Sequence, residues 1–143
     1  MSFSIGFEGV TSSENLALGR IRLGEFSEIF WSNLSYWDRS DYRRSWADAV
    51  DVVESAEHAV SCLVTSMVDP SDGNFVVCLP LFRDGDAVFV QNSLIMLDQL
   101  ENAFDPHRPW CAVRPRSVVS EDGRRVSEWA VDLASLGEWA RSR

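Results

Sequence analysis

Two histidines, three cysteines and several closely spaced carboxylates are the groups in this chain with chemical potential. His107 precedes Cys111 by four residues and His58 precedes Cys62 by four, but Pro109 breaks the first spacing as a helical pair. No CxxC or HxxxH pattern accompanies either histidine. A zinc site needs three or four convergent ligands, so no metal is expected. Covalent catalysis needs a nucleophile, a base and an orienting group in one place. No GxSxG elbow marks such a place, and no catalytic residue is assigned. Gly6-Phe7-Glu8-Gly9 falls short of a dinucleotide fingerprint and no Walker A sequence is present, so no cofactor is expected. Asp84 and Asp86 stand two apart around Gly85. At such a turn water solvates both carboxylates and nothing tunes either as an acid.

What remains for the carboxylates is attraction. Residues 1–105 hold 17 Asp and Glu against 6 Arg, residues 106–143 hold 5 against 7, and the whole chain stands at −9. A charge of that sign opposes nucleic acid at long range. The C-terminal arginines Arg108, Arg114, Arg116, Arg124 and Arg125 are therefore expected to pair with the protein's own acidic half. Every basic residue is an arginine, suited to planar two-point contact with carboxylates. The acidic surplus suits a basic partner, which it would steer and select. Asp48, Asp51 and Glu54 recur every three residues, with Glu57 after them, and Asp84 and Asp86 form a second acidic point. Tyr36 and Trp37 precede the first cluster. An exposed aromatic there is a natural interface anchor, while core packing claims at least one of the two. The candidate partner-binding residues are Trp37, Asp48, Asp51, Glu54, Asp84 and Asp86.

The elements that must position these residues read as α+β. The spacing of Tyr42, Trp46, Ala49, Val50 and Val53 predicts one long helix from about Asp41 to Glu57, capped by Asp38 or Ser40. Arg44 and Asp48, four apart, are placed to pair on its exposed side. Alternation predicts strands at 3–9 and 16–26, then a polar stretch at 31–41 lying over the core. Strands follow at 60–68, 75–82 and 87–92, the last two joined as a hairpin at Asp84-Gly85. Pro80 places its strand at an edge or a bulge. The run 94–104 reads equally as strand and turn or as a short helix. Residues 113–119 and 126–131 are placed to pair across the 120–123 turn, and Asp132 starts a short C-terminal helix, 133–141. The expected fold is a mainly antiparallel sheet packed on the long helix, in one globular domain over 1–143. No basic leader or bilayer-length apolar run is visible, and the odd, scattered cysteines read as reduced thiols, so the expected location is the cytoplasm, away from membranes.

Several blocks together resemble a known family. Gly19-Arg20-Ile21-Arg22-Leu23-Gly24-Glu25-Phe26 runs into Glu28, Phe30 and Trp37, followed by Tyr42-Arg43-Arg44-Ser45-Trp46 and Ala49. Asp122-Gly123, Ser127-Glu128-Trp129 and the closing helix complete the pattern. The chain is similar in these to the immunity proteins of bacterial contact-dependent growth-inhibition systems, the CdiI type. That resemblance implies a cytoplasmic, non-enzymatic protein that binds and neutralises the C-terminal domain of a cognate toxin, commonly a nuclease. A nuclease would offer a basic surface to the acidic positions above. Two other classes stand beside it: an acidic interaction module in another pathway, and a small enzyme with a carboxylate-lined pocket.

Overall fold

The computed structural model describes residues 2–142. Two antiparallel sheets share one core with two helices. The first sheet is a meander of β1 (Phe3–Thr11), β2 (Leu16–Leu23) and β3 (Phe26–Asn33), in that spatial order. Phe3, Ile5, Ile21 and Leu23 point inward from it. Gly24 takes φ 65° in the turn that ends β2, a conformation open to glycine without steric cost.

The third strand is unexpected: it begins where the expected strand at 16–26 ends, and its last residues, 31–33, fall in the expected polar stretch at 31–41. Its pattern hides it: the buried position Ser32 is polar, while Ile29 and Trp31 are exposed. Ser32 is stabilised in the core because its hydroxyl donates to the Thr65 carbonyl at 2.5 Å, and Asn33 N–H donates to Ser66 Oγ at 3.1 Å. These bonds tie the end of β3 to β4 (Val60–Ser66), a strand of the second sheet. The expectation of one sheet therefore gives way to two.

The second sheet runs β4, β5 (Phe75–Asp84), β6 (Ala87–Gln91) and β8 (Glu128–Asp132), with β7 (Ser93–Met96) also on β5. β6 and β7 keep one register against β5, pairing Leu81 with Val90 and Cys78 with Ser93. The break between them falls opposite Leu79 and Pro80. Pro80 has no N–H to give to the ladder there, and β6 continues instead onto β8. The 94–104 ambiguity resolves as strand β7 and a single 3-10 turn at Leu97–Gln99. The expected hairpin of 113–119 with 126–131 reduces to a single bridge, Val119 with Arg125. Residues 128–132 pair with β6 instead, since there they bury Val131 against Val88.

The long helix α1 spans Arg39–Glu54, starting two residues earlier and ending three earlier than expected. Asp38 is its cap: its side chain accepts from Asp41 N–H at 2.9 Å, and Asp41 accepts from Asp38 N–H at 3.0 Å. Tyr42, Trp46, Ala49, Val50 and Val53 are wholly buried along one stripe. Trp46 donates its indole N–H to the Val64 carbonyl at 2.8 Å, and Ser61 Oγ donates to the Ala49 carbonyl at 2.8 Å, locking α1 to β4. The short helix α2 (Leu133–Ser142) is anchored by Trp139, which donates to the Ile5 carbonyl at 3.1 Å and meets Phe3 edge-on. No helix among the described residues is long and apolar enough to cross a membrane.

Candidate functional site

The acidic positions of α1 are exposed, but they do not share one face. At about 100° per residue, three-residue steps carry Asp48, Asp51 and Glu54 roughly 120° around the axis. Glu54 ends beside α2, where Arg141 lies 3.8 Å from its carboxylate. Asp48 and Asp51 form no ion pair or side-chain hydrogen bond with another described residue. The expected Arg44–Asp48 pair is absent: Arg44 turns back toward Asp41, at 3.9 Å.

The second acidic point is brought to the same end of α1. Nothing basic lies in the last turn of α1, so its carbonyl end lacks a local cation. Arg83, from β5, supplies one. Its Nη1 donates toward the carbonyls of Val53, Glu54 and Ala56 at 3.2, 3.3 and 3.1 Å, and its Nε donates to the Gly85 carbonyl at 2.7 Å. Gly85 N–H donates in turn to the Glu57 carbonyl at 3.1 Å. The hairpin tip carrying Asp84 and Asp86 is thereby bound to the segment carrying Glu54 and Glu57. Asp84 faces His58 at 3.6 Å, both well exposed, while the Asp86 side chain is unpaired among the described residues.

Trp37 is not a protruding anchor. It is 8% exposed, meets Tyr42 edge-on at 5.3 Å and stacks loosely on Tyr36, which stays outside. It also lines a cleft of about 40 Å³, together with Asp41, Arg44, Ser45, Asp48, Pro106 and His107. Trp37 and Asp48 therefore meet at one place, with Asp41 and Ser45 between them. The spacing 41, 45, 48 follows one helix face and was available as a signal. The opposite wall, Pro106–His107, lies far downstream and carries no pattern linking it to α1.

Three of the five C-terminal arginines named above are paired, each with an acid of its own segment, while Arg108 and Arg125 form no ion pair among the described residues. Arg114 reaches Glu121 at 3.3 Å, Arg124 reaches Asp122 at 3.6 Å, and Arg116 grips both oxygens of Glu128 at 2.8 and 2.6 Å. Among the described residues, the expected pairing with acids of residues 1–105 is seen at Arg141 with Glu54. The hydrogen bonds from Arg116, and to a lesser extent Gln91, hold the Glu128 carboxyl below the usual range against its partial burial. A cavity of about 660 Å³ lies between β5, β7 and the 112–126 segment. Its one carboxylate, Glu121, is fully solvated. No Asp or Glu among the described residues is buried, and no group of three possible metal ligands is found among them. Cys62 and Cys78 are buried free thiols. The hydrogen bond with Cys78, and then burial, push the Cys62 thiol up, so it stays protonated and inert.

The family model described as the CdiI N-terminal domain matches residues 32–139. The chain belongs to the CdiI family of immunity proteins. It is 30% identical over 141 residues to Immunity protein CdiI of Enterobacter cloacae subsp. cloacae, covering 98% of this chain and 95% of that protein. A solved structure described as the CdiA-CT/CdiI toxin and immunity complex from Enterobacter cloacae contains a chain of the same fold. That match has TM-score 0.89 and 29% identity, and covers 98% of this chain and 97% of that one. The resemblance read from the sequence thus holds, and the structure explains why its positions carried it. A Cβ on Gly19 would overlap the Phe30 ring, and Phe30 meets Trp46 edge-on at 6.0 Å. Phe26 stacks on Trp129 at 4.4 Å. These CdiI-like residues build the junction between the two sheets and α1.

Proposed function

We propose that this chain binds the C-terminal toxin domain encoded beside it and neutralises it by stoichiometric occupation, without catalysis, in the cytoplasm. Its likeness over nearly the whole length to a chain of the CdiA-CT/CdiI complex carries this reading. The proposed contact surface is the acidic side of α1 and the hairpin bound to its end: Asp48, Asp51, Glu54, Asp84 and Asp86, with Trp37 as the wall of the adjoining cleft. The carboxylates of Asp48, Asp51 and Asp86, which have no partner among the described residues, support it. They suit a basic partner surface, and a nuclease toxin holds nucleic acid on such a surface. Co-expression with the neighbouring toxin domain should restore growth and yield a complex that survives gel filtration. Failure of both would overturn the reading. Reversing Asp48, Asp51 and Glu54 together to Arg should weaken the complex and abolish protection; unchanged affinity at low salt removes α1 from the interface.

A further inference from the structure

We propose that the cleft between the first half of α1 and Pro106–His107 is a receptor for one basic side chain, an arginine or a lysine, of the toxin domain. The proposal rests on toxin binding as argued above and assigns that binding a specific anchor point.

Ser45 is the observation that carries it. The residue is 9% exposed, and its Oγ is buried with no hydrogen-bond partner among the described residues. An unpaired buried hydroxyl is costly, and alanine would serve this helical position better on propensity alone. Ser45 lines the cleft, flanked on its helix face by Asp41 one turn before and Asp48 one turn after. Two carboxylates beside an unsatisfied hydroxyl exclude an anion. They call for a cation with hydrogen-bond donors.

The other walls agree. Asp41 is already engaged, by the Asp38 N–H and by Arg44. Asp48 has no such partner among the described residues, which leaves its negative charge open to one. Arg44 also lines the cleft, but its side chain is 71% exposed and its guanidinium lies toward Asp41 and not Asp48. Trp37 contributes an apolar indole wall, against which the alkyl stem of an arginine or lysine can pack. The volume of about 40 Å³ is room for a few waters, the size of a guanidinium or ammonium head and too small for a nucleotide or a peptide segment.

The test is calorimetric titration of the full chain with the purified toxin domain, comparing wild type, Ser45→Ala, Asp48→Asn and the remote control Asp72→Asn. Asp48→Asn and Ser45→Ala should each weaken binding by about tenfold, as expected when a hydrogen bond to a charged group is lost. Ser45→Ala should leave the melting temperature unchanged or raise it, because it removes the orphaned hydroxyl; a structural role alone would move stability and spare affinity. Asp72→Asn should bind as wild type. A double-mutant cycle against the toxin's basic residues should find one Arg or Lys coupled to Asp48. If wild type binds and both cleft variants bind equally well, the receptor is overturned while toxin binding stands. If wild type itself does not bind, the functional reading falls first.

Discussion

Tyr42 joins three parts of the molecule through one oxygen. Its hydroxyl donates to the Asn33 carbonyl at 2.6 Å and accepts from Met67 N–H at 3.1 Å, so α1, the end of β3 and the exit of β4 meet there. Burial pushes its pKa up to about 12, with the Met67 and Ser66 contacts only partly opposing. A raised value favours the neutral form in the folded state. Its contribution is therefore complete below the unfolded value near 10 and lost as pH rises through about 12. Tyr42→Phe should lower stability at neutral pH by about 1–3 kcal/mol, because two buried backbone groups lose a partner. Urea titrations across alkaline pH should also show a shallower decline for the variant; parallel curves would mean Tyr42 is not the group responsible. Glu128 supplies the opposite case. Its carboxyl is held low by Arg116, whose guanidinium also lies 4.0 Å over the Phe89 ring. Its contribution is present above an unfolded value of about 4.3 and is lost as pH falls through the lower folded value. Glu128→Gln should therefore be less stable at pH 7 and show a shallower acid limb in the same titrations.

The end of α1 shows how an element depends on a residue that its own sequence does not contain. Glu54 and Glu57 sit at the negative end of the helix dipole, the unfavourable place for acids. Arg83 offsets this from another element by capping three carbonyls. Arg83→Ala should cost about 1–3 kcal/mol, from lost charged hydrogen bonds at a half-buried site. It should also speed hydrogen exchange at the Gly85 amide, since the hairpin tip is released together with the helix end. Protection at Gly85 equal to wild type would show that the tip holds without Arg83. The contrast with what the sequence made legible is physical. Helix α1, its Asp38 cap and the Asp84-Gly85 hairpin were readable because each rests on neighbours within a few residues: an apolar stripe, a carboxylate three before an amide, and a glycine that takes φ 61°. β3 was not readable, because its inward Ser32 is satisfied by β4, far along the chain. The candidate site divides the same way. Asp48 and Trp37 could be named from sequence, but burial of Trp37 against Tyr42 and closure of the cleft by Pro106–His107 are tertiary facts.

Charge is arranged so that the two parts of the chain hardly cancel. Of the arginines after residue 106, Arg114, Arg116 and Arg124 are held by Glu121, Glu128 and Asp122, acids of their own segment, and Arg141 alone among the described residues reaches an acid of residues 1–105, so most of the surplus there stays in play. Much of it surrounds α1 and the hairpin tied to its end, close enough together to act as one field. Such a field acts before contact. It draws a basic partner in and orients it, raising the association rate, while dissociation depends on the short-range contacts formed afterwards. Raising salt from about 50 mM to about 500 mM should therefore slow association with the toxin domain by about tenfold or more, with much less change in the dissociation rate, as screening shortens the field's reach from roughly 14 Å to 4 Å. The triple reversal of Asp48, Asp51 and Glu54 should flatten that salt dependence. Asp48→Asn, which removes one charge but also empties the cleft's proposed contact, should chiefly raise the dissociation rate. Stopped-flow association and dissociation measured on the same variants separate the two effects. A wild-type association rate indifferent to salt would mean that the acidic surplus does not steer the partner, leaving short-range contacts to account for the affinity.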